Sequence, residues 1–461
     1  MTYEESVRAL MALGRELASP QQARVQKFGL ANTATLAEAL GNPHRKAPCV
    51  HIAGTNGKGS TAAMLESILR NAGYLTGLYT SPHLERINER IRIAGEDISD
   101  DQFAAAWSGV NSAIESLLAS GKLAAHPTYF ECITALAFVA FADRRVNFAI
   151  IEVGLGGRLD ATNIVVPEVA VITSIDFDHE SFLGHSIAEI AAEKAGIIKP
   201  GGWVASSAER PEAREVIARR CKEQSARLVE IDAAWRIEDV TASAGNYRAV
   251  AVSADSREKL AIEPSLAGRF QIRNALTAAT AGRLLAERGF SVSNDAIERG
   301  IRAAKWPGRL ERLSEHPAIY LDGTHNPAGA KELLKFWEEN FSGRRILVVY
   351  GAMRDKAVDE IAGLLFPAAD FVIFTQPLQP RAISAPLLAE MTGHLAKSSE
   401  VVANPADALE HAIDLAKPDD AVFATGSLYL VGDLRTYWAK RGTGDIAARI
   451  SALHNQLIPK R

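Results

Sequence analysis

The sequence predicts an α/β protein in two parts: a P-loop-type parallel-sheet domain, then a smaller, Rossmann-like α/β domain. Two observations carry this. Strand-like apolar runs alternate with helix-length amphipathic segments along almost the whole chain, the pattern of parallel sheets covered by helices. Residues 48–61, PCVHIAGTNGKGST, read as a short buried strand running through a glycine-rich turn into a helix over 61–71 (TAAMLESILRN). At 461 residues the chain is too long for one ordinary core. The expected division is 1–304 and 309–461, with a linker at 305–308 where adjacent proline and glycine break the helical pattern.

In the first part, strands are expected at 50–53, 76–79, 148–153, 169–173 and 203–206, and helices at 99–118, 129–143, 186–196 and 211–224. From about 228 to 261 the pattern becomes short, alternating and β-rich, which reads as an antiparallel edge or small flap. Helices resume at 272–288 and 294–304. The second part restarts with strands at 318–321, 346–350, 371–375 and 421–425, each followed by a helix. The last twenty or so residues read as polar and helical.

The turn carries the first chemistry. Gly54, Gly57 and Gly59 let the backbone of Gly54-Thr55-Asn56-Gly57-Lys58-Gly59-Ser60-Thr61 approach a polyanion, and a helix start behind it favours negative charge. Lys58 adds a full positive charge, and Ser60 or Thr61 a hydroxyl. The pattern departs from G-x-x-x-x-G-K-[ST], because its first glycine sits late and Gly59 separates lysine from hydroxyl. A plain connecting turn is the alternative; strand, Gly-Lys-Gly-Ser and helix in register favour a nucleoside triphosphate site.

Bulk properties exclude several classes. Hydrophobic residues are 47% and charged ones 23%, as in a globular protein, and the formal net charge of −4 argues against a broad basic nucleic-acid face. The 3 cysteines lie far apart without metal spacing, which suits a reducing compartment. The start MTYEESVRAL is acidic and amphipathic, unlike a signal peptide, and the longest apolar run, 135–142, is too short to span a bilayer. A cytoplasmic protein without membrane or nucleic-acid partners is expected.

A triphosphate site needs divalent metal, so carboxylates are expected at neighbouring strand ends. Glu152 ends the apolar run before Val153-Gly154, where a carboxylate left unpaired would be costly, so a metal-ligand role is favoured over a core accident. The glycine turn after it carries Arg158 and Asp160. His179 follows the next strand in Asp176-Phe177-Asp178-His179 and is a second candidate ligand. Ser81, at the end of the second strand, opens a long irregular excursion and could ligate beside Glu152. On residue chemistry alone, Lys194 reads as a solvated helix lysine. In the second part, Asp322-Gly323-Thr324-His325 follows an apolar strand, and Arg309 sits at the junction; each is weak alone.

Together the segments resemble the folylpolyglutamate synthase/dihydrofolate synthase family, relatives of the Mur ligases. The resemblance rests on KFGL (27–30), HIAGTNGKGST (51–61), TSPHL (80–84), ERIRI (89–93), TYFE (128–131), EVGLGGRLDATN (152–163), DHESFLG (178–184), EKAGIIKP (193–200), QIRNA (271–275), WPGRLE (306–311), DGTHNP (322–327) and TGSLYLVG (425–432), covering nearly the whole chain. It implies an ATP-dependent ligase that joins L-glutamate to dihydropteroate or to reduced folates. Lys58 and its loop would hold the ATP phosphates, with Asn274, Arg309 and Asp322 gripping the nucleotide. Ser81 and Glu152 would ligate one Mg²⁺, and Glu152 would bridge to a second held by His179 and Lys194, a lysine that is carbamylated in this family. Thr128, Phe130, Asp160 and Ala161 match positions lining the dihydropteroate pocket, and His325 and Ser427 would lie near glutamate. Thr324, where alanine is usual, and Glu180-Ser181-Phe182 depart from the family pattern and bear on pterin preference.

The implied reaction makes an acyl phosphate that glutamate's amine resolves, with Lys58, Lys194, Arg309 and His325 as the catalytic candidates and a monomer as the default assembly. A Mur-type ligase is disfavoured, because only 49 residues precede Val50. A folylpolyglutamate synthase without the dihydropteroate activity, or a nucleotide-binding regulatory module, are the alternatives.

Overall fold

The computed structural model describes residues 1–14 and 29–444. Lys27 and Phe28 of the KFGL segment, and the polar stretch from 445 onward, lie outside those residues. Main-chain contacts divide the chain into Met1–Trp306 and Pro307–Arg461.

The first unit is organised by one eight-stranded sheet. Its strands are β1 (Cys49–Ala53), β2 (Thr76–Tyr79), β3 (Ile91–Ile93), β4 (Glu96–Asp97), β5 (Phe148–Glu152), β6 (Val169–Ile172), β7 (Trp203–Ser206) and β8 (Arg227–Glu230), in the order β4-β3-β2-β5-β1-β6-β7-β8. From β2 to β8 the pairing is parallel, and β3 and β4 add an antiparallel margin. Strands β1, β2, β5 and β6 are buried at every position, which is why they read as unbroken apolar runs rather than alternations.

This strand order positions the site. The chain leaves β1 for β2 on one side, and later leaves β5 for β6 on the other, so a crevice opens at the carboxyl ends of β5, β1 and β6. The register aligns Ile52 with Glu152 and Ala53 with Ile172. Gly54, Val153 and Thr173 therefore leave the sheet side by side.

Most segments lie where their periodicity predicts, with helix starts fixed by capping. Ser99, Thr128 and Ser186 each cap a helix through a reciprocal pair with the residue three positions on. Two expectations need correction. The helix behind the glycine turn runs Lys58–Asn71, not from Thr61, because Gly57 turns at φ 83° and puts Lys58, Gly59 and Ser60 in the first turn. The β-rich stretch is not one flap: β8 extends the main sheet in parallel, while β9 (Trp235–Ser243), β10 (Asn246–Ser253) and β11 (Lys259–Ile262) form a separate antiparallel sheet. Trp235, Tyr247 and Leu260 join that small sheet to the same core as Leu65 and Ile68 of the Lys58–Asn71 helix.

The second unit is a six-stranded sheet of β12 (Glu311–Glu315), β13 (Ala318–Leu321), β14 (Ile346–Tyr350), β15 (Phe371–Phe374), β16 (Ser399–Val401) and β17 (Ala421–Thr425), ordered β12-β13-β17-β14-β15-β16. Only β12 is antiparallel. Phe423 is the hub of its core: Tyr320 stacks on it at 5.2 Å, and Trp337 and Phe341 approach at 5.2 and 5.3 Å. Cys49, Cys132 and Cys221 are buried free thiols, and burial pushes Cys49 up to about 12 and Cys221 to about 11. Among the described residues no helix is long and apolar enough to cross a membrane.

Replacing the fully buried Phe423 by alanine should cost about 3–5 kcal/mol, because the surrounding rings cannot close the cavity. Denaturant titration of the F423A variant would measure this; a loss below about 1 kcal/mol would show that the cluster does not hold the second unit.

Candidate active site

The glycine turn is tied to the end of β6. Thr173 and Ser174 donate their hydroxyls to the Asn56 carbonyl at 2.8 and 3.1 Å, and Thr55 N–H donates to the Ser174 carbonyl at 2.7 Å. The Thr55 hydroxyl donates to the Asp176 carbonyl at 2.9 Å and accepts the Asp176 N–H. The turn is thus held before any ligand is considered, and the first-turn N–H groups of Lys58, Gly59 and Ser60 lie ahead of the first helical bond, from Thr61 to Gly57. Asn274 lies against this turn, its side-chain oxygen 2.4 Å from where a Cβ on Gly57 would stand. Gln271 links it onward, accepting from Asn274 at 2.9 Å and donating to the Ser60 hydroxyl at 3.4 Å.

Two lysines end on one carbonyl. Lys58 Nζ donates to the carbonyls of Gly54 and Thr55, each at 3.0 Å, and Lys194 Nζ donates to the Gly54 carbonyl at 2.8 Å. The solvated reading of Lys194 is wrong: the residue is 4% exposed, because the helix Ile187–Ala195 packs its inner face against the sheet. Burial, with the Lys58 charge second, lowers its pKa to about 7, while Asp178 and Asp160 pull the other way.

Glu152, 4% exposed, ends β5 and accepts the Ser81 N–H at 3.1 Å, so these two candidates stand together. The segment after Ser81 is less irregular than its sequence suggests. Glu89 accepts the N–H groups of Leu84, Glu85 and Arg86 at 2.7, 2.9 and 2.7 Å, Arg90 donates to His83 at 2.8 Å, and Ile91–Ile93 returns as β3 alongside β2. His179 precedes the short helix Glu180–Leu183 in a left-handed conformation, its Nε2 3.7 Å from an Asp178 oxygen. Among the described residues no three His, Cys, Asp or Glu side chains converge as a metal cluster.

On the other side of Glu152, Phe130 packs onto Gly154 and tilts against Tyr79, with ring centroids 6.3 Å apart. Thr128 spends its hydroxyl capping the helix Tyr129–Asp143, and Ala161 is buried. The Asp160 carboxylate accepts Leu155 N–H at 2.9 Å on one oxygen and both the N–H and hydroxyl of Thr162 on the other. Burial raises its pKa against those hydrogen bonds. Behind Thr162 stands His51 of β1, fully buried, with Nε2 2.8 Å from the Thr162 hydroxyl. Since that hydroxyl donates to Asp160, it accepts from His51, whose Nε2 carries the proton. His51 was missed from sequence although it left a signal, a polar residue inside the apolar strand Cys49–Ala53.

In the second unit, Asp322 is buried and accepts Leu310 N–H at 2.9 Å and Thr324 N–H at 3.0 Å. His325 Nδ1 donates to the Gly323 carbonyl at 2.7 Å. Arg309 lies against Gly323, and Gly426 N–H donates to the Thr324 carbonyl at 3.1 Å, bringing buried Ser427 to the same strand ends.

Residues 52–282 match the Mur ligase middle domain, and residues 308–428 the Mur ligase glutamate ligase domain. A Bacillus subtilis relative named dihydrofolate synthase/folylpolyglutamate synthase is 38% identical over 413 residues, 89% of this chain and 94% of that protein. The chain belongs to the dihydrofolate synthase/folylpolyglutamate synthase family. Two solved structures of this family extend the likeness to three dimensions. Mycobacterium tuberculosis folylpolyglutamate synthase, complexed with ADP and AMPPCP, superposes with a TM-score of 0.84 at 32% identity, covering 94% of this chain and 99% of that one. Escherichia coli FolC in complex with DHPP and ADP gives a TM-score of 0.82 at 32% identity, covering 96% and 98%.

Burial drops the His51 pKa from its ordinary 6.5 to about 3. Between those values the unfolded chain takes a proton that native His51 refuses, so stability falls as pH falls through that window. The H51L variant should cost about 1–3 kcal/mol near neutrality, by stranding the Thr162 hydroxyl, and the deficit should shrink at about pH 5 because leucine does not titrate. Denaturant melts at both pH values would show it; a deficit that widens in acid would contradict the neutral, Nε2-protonated imidazole.

Proposed function

We propose that this chain is an ATP-dependent amide-forming ligase that adds L-glutamate both to dihydropteroate, giving dihydrofolate, and to reduced folates, giving folylpolyglutamates. The observation that carries the reading is the meeting, at one set of strand ends, of a rigid glycine turn, two lysines on the Gly54 carbonyl and the buried Glu152–Ser81 pair. Family membership supplies the reaction class. The cytoplasm and a monomeric state complete the proposal.

The substrate carboxylate attacks the γ-phosphorus of ATP and expels ADP, leaving an acyl phosphate. Glutamate's amine then attacks the acyl carbon and expels inorganic phosphate. The turn spanning Gly54 to Thr61, with Asn274, is assigned to ATP: first-turn N–H groups and the helix dipole meet the phosphates, and Lys58 neutralises charge as it moves to the leaving oxygen. Arg309 and Asp322 are assigned to the nucleotide as well. His325 and Ser427 are assigned to glutamate. Thr128, Phe130, Asp160 and Ala161 are assigned to the pterin, with Phe130 giving a flat apolar face and Asp160 an acceptor fixed by three donors.

The Ser81 and Glu152 oxygens fit Mg²⁺, which prefers oxygen ligands and carboxylates, whereas Lys194 fits only if it is converted to an oxygen ligand. Ser81 and Glu152 would hold one ion, and Glu152, His179 and Lys194 a second; bound there, the ions would neutralise phosphate charge. As an amine, Lys194 would repel a cation. Its lowered pKa supports a carbamate, formed when the neutral amine adds CO₂ and releases a proton, which turns it into an oxygen ligand.

Purified protein given ATP, glutamate and either dihydropteroate or tetrahydrofolate should release ADP with both, each requiring glutamate. Release with tetrahydrofolate alone would remove the dihydropteroate activity, and release indifferent to pterin and glutamate would overturn the ligase. For Lys194, ¹³C-bicarbonate should give a carbamate resonance that K194A lacks. The signal should strengthen as pH rises through about 7, because only the neutral amine captures CO₂. A K194A variant with full activity would contradict the assignment.

A further inference from the structure

Trp306 is absorbed by none of these roles, yet it touches the phosphate-binding turn. It is the last residue of the first unit, immediately before Pro307. Its indole fills the space over Gly59: a Cβ there would stand 2.8 Å from Nε1 and 3.0 Å from both Cε2 and Cζ2. Real side chains do not approach so closely, so glycine is required by the indole rather than by the backbone angles of the turn. This accounts for the glycine inserted between lysine and hydroxyl in Gly57-Lys58-Gly59-Ser60. Arg92 of β3 lies over the same indole, its guanidinium carbon 5.0 Å from the ring centroid, and is itself fixed by Asp97 at 2.6 Å. Trp306 also packs on the core that contains Leu65 and Ile68 of the helix Gly59 belongs to. The indole is thus held by the core and by a cation, and in turn confines the first turn of that helix.

We infer that Trp306 is a positioning residue for ATP: its indole, braced by Arg92, sets the first helical turn whose N–H groups bind the phosphates. This rests on the nucleotide reading of the turn given above. A flat ring over a residue with no side chain fixes main-chain direction while leaving the N–H groups open to ligand. Misplacing such donors by a fraction of an ångström weakens phosphate binding without removing any phosphate ligand. Phenylalanine preserves most of the cover; alanine removes it; a methyl on Gly59 collides with it.

The test uses the full-length protein and a non-hydrolysable ATP analogue, read by equilibrium binding and by tryptophan emission, with glutamate KM as the control. W306A and G59A should weaken analogue binding about tenfold or more, with glutamate KM moving less than about threefold, and W306F should stay within about threefold of the parent in both. R92M should fall between W306F and W306A. Analogue should change the tryptophan emission of the parent, and W306F should lose that change although the other tryptophans remain. If W306A binds the analogue as the parent does while K58A does not, the inference fails and the nucleotide reading stands. An emission change that persists in W306F also overturns the inference. If the parent itself does not bind the analogue, the nucleotide reading fails and the inference falls with it.

Discussion

One main-chain carbonyl sets the character of the first unit's site. Gly54, the residue that leaves the central strand, accepts hydrogen bonds from two lysine amino groups, one four residues on and one 140 residues away. Burial first, and then the Lys58 charge, disfavour the charged form of Lys194. Lys194 answers by losing basicity, which its pKa of about 7 records. Lys58 adds positive charge at a helix start that already favours anions, on a turn tied to the end of β6 through the Asn56 carbonyl and the Thr55 hydroxyl. An anion bound there, as proposed, would meet donors whose geometry does not have to be organised at the moment of reaction.

Both units use a second device, a buried carboxylate held by main-chain N–H groups from two segments. Asp160 ties Leu155 to Thr162, and Asp322 ties Leu310 to Thr324. Each fixes a turn at the carboxyl end of a sheet, where substrate-facing groups are wanted, by satisfying N–H groups that would otherwise cost a kilocalorie or more apiece. In the first unit this device is anchored to the strand that leads into the glycine turn, through Thr162 and His51. The groups proposed for the pterin and those proposed for the nucleotide thus share β1 as a common backing.

Much of this was legible in the sequence, and the exceptions have physical causes. Strands such as Phe148–Glu152 and Ala421–Thr425 announce themselves because both faces are buried, leaving unbroken apolar runs. β12, with the sequence ERLSE, and β16, with SEV, do not, since edge strands form by pairing rather than by hydrophobic pattern. Glu152 stood out as an acid closing an apolar run, and the fold sets Ser81 against it. Lys194 could not be read from local pattern at all: whether a helix lysine faces solvent depends on which sheet its helix covers. Trp306 registered as part of a pattern break and of the WPGRLE motif but not as a contact, because its partner Gly59 lies far away in sequence and leaves no side chain as a clue.

The central claim is that triphosphate held on the Gly54–Thr61 turn passes its terminal phosphoryl group to a pteroyl carboxylate before glutamate's amine attacks. Carboxyl-¹⁸O-labelled dihydropteroate, turned over with ATP and glutamate, tests this directly by mass analysis of the released phosphate. An acyl phosphate requires one labelled oxygen to leave with phosphate. Unlabelled phosphate, with amide product still forming, would contradict the account.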